Sequence, residues 1–154
     1  MTDQYFMQKA LLQAMRAKDM LEVPVGAVLV KDDKIISRGF NRRETLQDAT
    51  SHAEIIAIKK ACNKIGSWRL SDCTLYVTLE PCPMCAGAII NARIPRVVIG
   101  AADPKGGAFG GRINLNRHGF NHIPLVEFGV LQQQCSQLLK DFCKSVIYKM
   151  FIIL

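Results

Sequence analysis

Two short segments restrict the fold of this chain more than any other feature: His52-Ala53-Glu54 and, further on, Pro81-Cys82-Pro83-Met84-Cys85. Each falls where a helix is expected to start directly after a strand or loop, so a fold that uses both brings two helix N-termini to one sheet edge. Cys82 and Cys85 are three apart, one helical turn, and Pro83 suits a first turn because no N–H donor is needed there. Both N-termini add positive potential that favours thiolate, the form that binds metal. His52, Cys82 and Cys85 are therefore candidate zinc ligands. Three protein donors leave one tetrahedral position open, as in catalytic rather than structural sites, and water there ionises near pH about 7. Glu54 lies two residues past His52, where it can flank the ion without binding it, and is the candidate proton carrier.

Taken singly, these residues have plainer readings. Ser51 followed by Glu54 is a capping-box pattern, a lone histidine is more often a satisfied polar residue, and Cys82-x-x-Cys85 could be a redox pair or half of a structural finger. A closed structural site would need a fourth ligand from Cys62, Cys73, Cys135, Cys143, His118 or His122, and the sequence offers no second C-x-x-C pairing. The combined pattern is far more specific than its parts.

Around these segments the periodicity alternates. Tyr5 to Met20 places Met7, Leu11, Leu12 and Met15 at helical spacing. Val23–Val30 and Ile35–Phe40 read as a hairpin turning at Asp32 and Asp33, and a polar stretch from Asn41 to Thr50 leads to a helix from about His52 to Gly66. Thr74–Thr78 reads as a strand, Met84–Ala92 as a helix ended by Pro95, and Val97–Gly100 as a strand. Gly100–Gly111 reads as a loop, Leu125–Phe128 as a last strand, and Val130 to about Lys149 as a closing helix. A strand, helix and strand in this order run parallel through a right-handed crossover. The expected architecture is thus one α/β domain over residues 1–154, a three-layer α/β/α fold around a mixed sheet of about five strands, antiparallel at its start and parallel at its finish.

The 20 Lys and Arg against 13 Asp and Glu give a formal charge of +7, a positive field that suits polyanions, although charge alone leaves accidental basicity equally open. The residues after Met1 carry an Asp and no long apolar run, which is the pattern neither of a secretory signal nor of a membrane span. The protein is expected in the cytosol and off the membrane, with its six cysteines reduced, so metal ligation is the first question to ask of them. The apolar segment Val146 to Leu154 is shorter than the roughly 20 residues of a membrane helix and reads as a helix end or a packed tail.

The H-x-E and P-C-x-x-C pair is the described signature of zinc nucleobase deaminases, and the chain resembles the cytidine-deaminase-like zinc deaminases, most closely their bacterial tRNA adenosine deaminase branch. Val23-Pro24-Val25-Gly26-Ala27-Val28, Asn41, Thr78-Leu79-Glu80-Pro81-Cys82, Cys85-Ala86-Gly87-Ala88-Ile89, Ala92-Arg93-Ile94, Gly100-Ala101, Asp103, Lys105 and Asn121-His122 carry the likeness over nearly the whole chain. The resemblance implies hydrolytic deamination of adenosine to inosine at the wobble position of a tRNA anticodon loop, by a homodimer with one zinc per subunit. It assigns His52, Cys82 and Cys85 to the metal and Glu54 to proton transfer. Asn41 is assigned to the base edge, the Ala53 N–H to orienting the base, and Val25 and Pro24 to the pocket wall. Asp103, Lys105 and Asn121 match positions that touch the anticodon loop, with Arg42, Arg43, Arg93, Arg112 and Arg117 as further basic candidates for phosphate. The chain departs from that branch at its end, where Phe142-Cys143-Lys144 and an apolar tail stand in place of a Phe-Phe pair and arginines.

Two other functions remain open on the residues. A deaminase of free guanine or cytosine would share every catalytic residue, and the basic surface and the Asp103–Lys105 segment favour a polynucleotide over it. A non-catalytic zinc-stabilised RNA-binding module would have no use for Glu54 or for an open metal position.

Overall fold

A computed structural model describes residues 1–153. Strands β1 (Gly26–Lys31) and β2 (Lys34–Phe40) form the expected hairpin, with Asp32 and Asp33 at φ 49° and 57°, as a two-residue primed turn requires. β1 also pairs antiparallel with β3 (Thr74–Leu79); β3 then pairs parallel with β4 (Arg96–Ala101), and β4 with β5 (Leu125–Phe128). The order is β2-β1-β3-β4-β5, so the sheet is mixed as expected. Because β1 alone runs against the rest, the C-terminal ends of β2, β3, β4 and β5 share one edge.

The period of two along the strands divides the core. Ala27, Leu29, Leu75, Val77, Val97 and Ile99 face helices α3 (Ala53–Ile65) and α4 (Pro83–Asn91), whereas Val28, Val30, Tyr76 and Val98 face α1 (Asp3–Asp19) and α5 (Gln132–Ile153). Both sheet faces are covered, which is why the strands read as nearly unbroken apolar runs.

The inner face of α1 differs from the large residues that its periodicity singles out. Leu12 and Met15 are 50% and 51% exposed, and the buried stripe is Phe6, Met7, Ala10, Gln13, Ala14 and Ala17. The alanines let the helix axis approach β1 more closely than leucine would allow. Arg96 anchors the start of α1, donating to both Asp3 carboxylate oxygens at 2.9 and 2.8 Å and to Glu127 at 2.6 Å, while the Tyr76 hydroxyl donates to Asp3 at 2.7 Å.

The polar stretch after β2 contains a short helix, α2 (Arg43–Leu46), which its sequence does not announce. The buried Glu22 carboxylate holds it by accepting the N–H groups of Glu44 and Thr45 at 2.9 and 3.1 Å. The chain end is helix rather than packed tail: Val146, Ile147, Tyr148, Met150, Phe151 and Ile152 are exposed, and Leu154 lies outside the described residues. Among the described residues no helix is long and apolar enough to cross a membrane.

Candidate active site

The shared strand edge collects the reactive side chains. β2 ends into Asn41, β3 into Glu80 and Cys82, and β4 into the segment bearing Asp103, an arrangement in which open α/β sheets bind ligands. His52 is the N-cap residue of α3 and Cys82 that of α4, both with extended backbone, and Cys85 completes the first turn of α4 after Pro83. Gly39 on β2 lets α3 approach, because a Cβ there would overlap the Ala53 carbonyl. Close packing of α3 on β2 thereby fixes where His52 projects.

The His52 Nδ1 lies 3.6 Å from the Cys82 Sγ and 3.5 Å from the Cys85 Sγ. A tetrahedral zinc with Zn–S of about 2.3 Å and Zn–N of about 2.0 Å has N···S edges of about 3.5 Å. All three donor atoms lie within 4.8 Å of one another, and among the described residues no further His, Cys, Asp or Glu joins them. The residues fit zinc with one position left open, and thiolate with imidazole is a donor set that zinc favours. The electrostatics agree. A hydrogen bond from Cys85 and a second with His52 outweigh burial and pull the Cys82 thiol down to about 4. The same Cys85–Cys82 bond, then burial, raises Cys85, and the bond with Cys82 raises His52 against its burial.

Glu54 is 3% exposed, in the first turn of α3. Burial pushes its carboxyl up to about 7, against the opposing pull of its own backbone N–H and of His52. The capping-box reading of Ser51 and Glu54 is not realised: the cap residue is His52 with no side-chain bond, and the Ser51 hydroxyl donates to Asp48 at 2.7 Å. Glu54 is left free for the site.

His52, Glu54 and Cys82 line a cleft of about 370 Å³, together with Val25, Asn41, Asp103, Leu21, Phe142 and Val146. That volume is in the range of small-ligand pockets. Pro24 is buried beside Val25 but is not on the cleft wall. The Ala53 N–H donates to the Asn41 Oδ1 at 2.9 Å, so it meets Asn41 rather than open cleft. Lys105 is exposed on the loop behind Asp103, its N–H donating to Asp103 at 3.0 Å. Asn121 is exposed at the opposite end of the sheet, where His122 meets the Ile94 carbonyl at 2.6 Å. Arg93 stands at that end as well, after α4, while Arg43 lines the cleft.

Sequence reasoning overlooked two buried carboxylates, Glu22 and Glu80, that hold the segments on either side of the cleft. The only local hint was the density of glycine after Asp103, which marks close backbone approach without naming what is approached.

A family profile described as MafB19-like deaminase matches residues 1–146. The chain is 48% identical over 145 residues to a tRNA-specific adenosine deaminase of Bacillus subtilis (strain 168), covering 94% of this chain and 90% of that protein. Among solved structures, one from a study of A-to-I editing by tRNA:A34 deaminases at the wobble position of transfer RNA superposes with a TM-score of 0.84 at 46% identity, covering 88% of this chain and 99% of the other. A guanine deaminase of Bacillus subtilis superposes with a TM-score of 0.65 at 39% identity, covering 78% of this chain and 71% of the other. With the sheet order, the His-Cys-Cys cluster and the buried glutamate already in place, the chain belongs to the MafB19-like deaminase family, on the cytidine-deaminase-like fold that its two motifs imply.

Proposed function

We propose that this chain is a tRNA adenosine deaminase that converts adenosine to inosine at the wobble position of an anticodon loop. The observation that carries this reading is the convergence of the His52 Nδ1 and the Cys82 and Cys85 sulfurs beside the buried Glu54, at the floor of one cleft. The likeness to tRNA-specific adenosine deaminases over nearly the whole chain supports the substrate.

His52, Cys82 and Cys85 would hold the metal. Zinc bound there supplies the Lewis acidity that brings water ionisation close to neutral pH. Glu54 takes a proton from the attacking water and delivers it to the ring nitrogen, then passes a second to the amino group. Water adds at C6, the C–N bond breaks, ammonia leaves, and the ring keeps a carbonyl. Asn41, with its Oδ1 engaged by Ala53, turns its amide N–H toward the base edge, so Ala53 orients the base through Asn41; Val25, backed by Pro24, forms the apolar wall. A loop base is suited to this cleft because it leaves its stack at a lower cost than a paired one. Asp103 and Lys105 flank the entrance for the neighbouring nucleotides. Asn121 serves the RNA only where that RNA, or a second copy of the chain in a homodimer, spans the sheet. The cytosol, where reductant keeps thiols such as these free, is the compartment proposed.

The test is an anticodon stem-loop with adenine at the wobble position, incubated with zinc-loaded protein and sequenced for inosine. Conversion supports the reading. An inert stem-loop together with turnover of free guanine or cytosine replaces it with a free-base deaminase, and zinc with RNA binding but no turnover on any of these replaces it with a binding module.

A further inference from the structure

Glu80 follows the end of β3, two residues before Cys82, and lines the cleft, yet its carboxylate takes no part in the metal set. It is 3% exposed and, among the described residues, forms no ion pair. Its charge is met by backbone N–H groups of a single loop: Asp103 donates to Oε2 at 2.8 Å, and Phe109 and Gly111 donate to Oε1 at 3.0 and 2.8 Å. Gly107 passes so close that a Cβ on it would overlap the carboxylate. A buried carboxylate is costly unless its lone pairs are used, so a loop that moves off it loses several charge-assisted bonds at once. The loop shape seen in the structure satisfies it. That shape places Asp103 on the cleft wall and Lys105 at the exposed tip, with the Asp103 Oδ1 accepting the N–H groups of Lys105 and Gly106 at 3.0 and 3.1 Å.

We propose that Glu80 is a positioning residue for substrate recognition: its carboxylate moulds the loop from Asp103 to Gly111 and thereby sets how Asp103 and Lys105 meet the nucleotides beside the reacting base. This rests on the RNA reading given above. It makes Glu80 act on RNA affinity through the loop and leaves the chemical step to the His52, Cys82, Cys85 and Glu54 group.

The experiment compares the parent, Glu80→Gln, Lys105→Ala and the double variant on the stem-loop, measuring zinc content, KM and kcat separately, with amide hydrogen exchange at Phe109 and Gly111. Glu80→Gln is expected to keep its zinc and hold kcat within about threefold while KM rises about tenfold or more. In that background Lys105→Ala should add less than about twofold, because the loop that presents Lys105 is already displaced. Exchange at the two amides should accelerate. A fall in kcat at constant KM, loss of zinc, Lys105→Ala and Glu80→Gln effects that multiply, or unchanged amide protection would each overturn the proposal. If Glu80→Gln does not fold, Gly107→Ala, which drives the same loop off the carboxylate, is read in the same way. A parent enzyme inert on the stem-loop would refute the RNA reading itself, and the exchange experiment would still decide whether Glu80 moulds the loop.

Discussion

The Asn41 side chain accepts a hydrogen bond from the Ala53 backbone N–H at 2.9 Å, tying the end of β2 to the first residue of α3. Both groups are buried, and Asn41 is also fixed through its own N–H, which donates to the Val25 carbonyl at 3.2 Å. One end of the amide is thus committed to the scaffold while the other faces the cleft. Asn41→Asp keeps the acceptor and loses the donor. It should retain its zinc and its denaturation midpoint, with kcat/KM on the stem-loop down by about 10²-fold or more. Asn41→Ala should lose the activity and also about 1–3 kcal/mol of stability, because the Ala53 N–H is left unpaired in the interior. Equal stability of the two variants would show that the Ala53 bond contributes nothing.

The proposed mechanism gives Glu54 and the metal ligands separable tasks. Glu54→Ala should bind one zinc per chain as the parent does and lose about 10²–10⁴ in kcat, the usual share of a positioned proton carrier. Metal analysis beside stem-loop kinetics checks this, and a variant that purifies without zinc would reassign Glu54 to holding the site together.

Chelation should remove both turnover and part of the thermal stability, because the folded arrangement of His52, Cys82 and Cys85 is preformed for an ion and the unfolded chain is not. Zinc added back should restore the two together. The expected readout is a Tm that rises with free zinc, and a Tm indifferent to zinc would count against a preformed site.

The Asp3–Arg96 pair should give the protein an acid-sensitive component far from the cleft. The hydrogen bond from Arg96 is the largest cause holding the Asp3 carboxyl below its ordinary value, against partial burial. A depressed folded value stabilises the fold above the unfolded pKa of about 3.9 and loses that contribution as pH falls through the folded value. With the Asp3 side chain 38% exposed, solvent screening limits the effect to about 1 kcal/mol or less. Asp3→Asn should flatten the stability profile below about pH 4 and leave the neutral-pH rate unchanged. At the other end of the scale, burial and then the bond to Asp3 raise Tyr76, so its contribution is complete below about pH 10 and is lost only above it.

Much of this architecture was legible because it depends on local signals. The β-branched runs, the paired aspartates at positive φ and the helix starts beside Ser51 and Pro83 all act over a few residues, and the ligand set follows from side-chain chemistry. Several of the parts that were hidden depend on partners distant in the chain. Short α2 is held by Glu22, and no nearby residue reveals that a carboxylate from before the β1–β2 hairpin will turn inward to accept its N–H groups. The inner face of α1 follows alanines and not leucines because β1 demands close approach. Ser51 abandons the cap for Asp48, a contact within a loop whose shape periodicity does not encode. The exposed apolar end of α5 has no local signature either, since its composition suits a buried helix equally well.

Glu22 and Glu80 fasten their segments independently, one to residues 44 and 45 and the other to residues 103, 109 and 111. The rim is accordingly a set of separately riveted panels around a fixed hearth. Panels attached in this way can be exchanged one at a time while the hearth stays lit, which offers a route by which a single deaminase scaffold could be fitted to substrates as unlike as a folded RNA and a lone base.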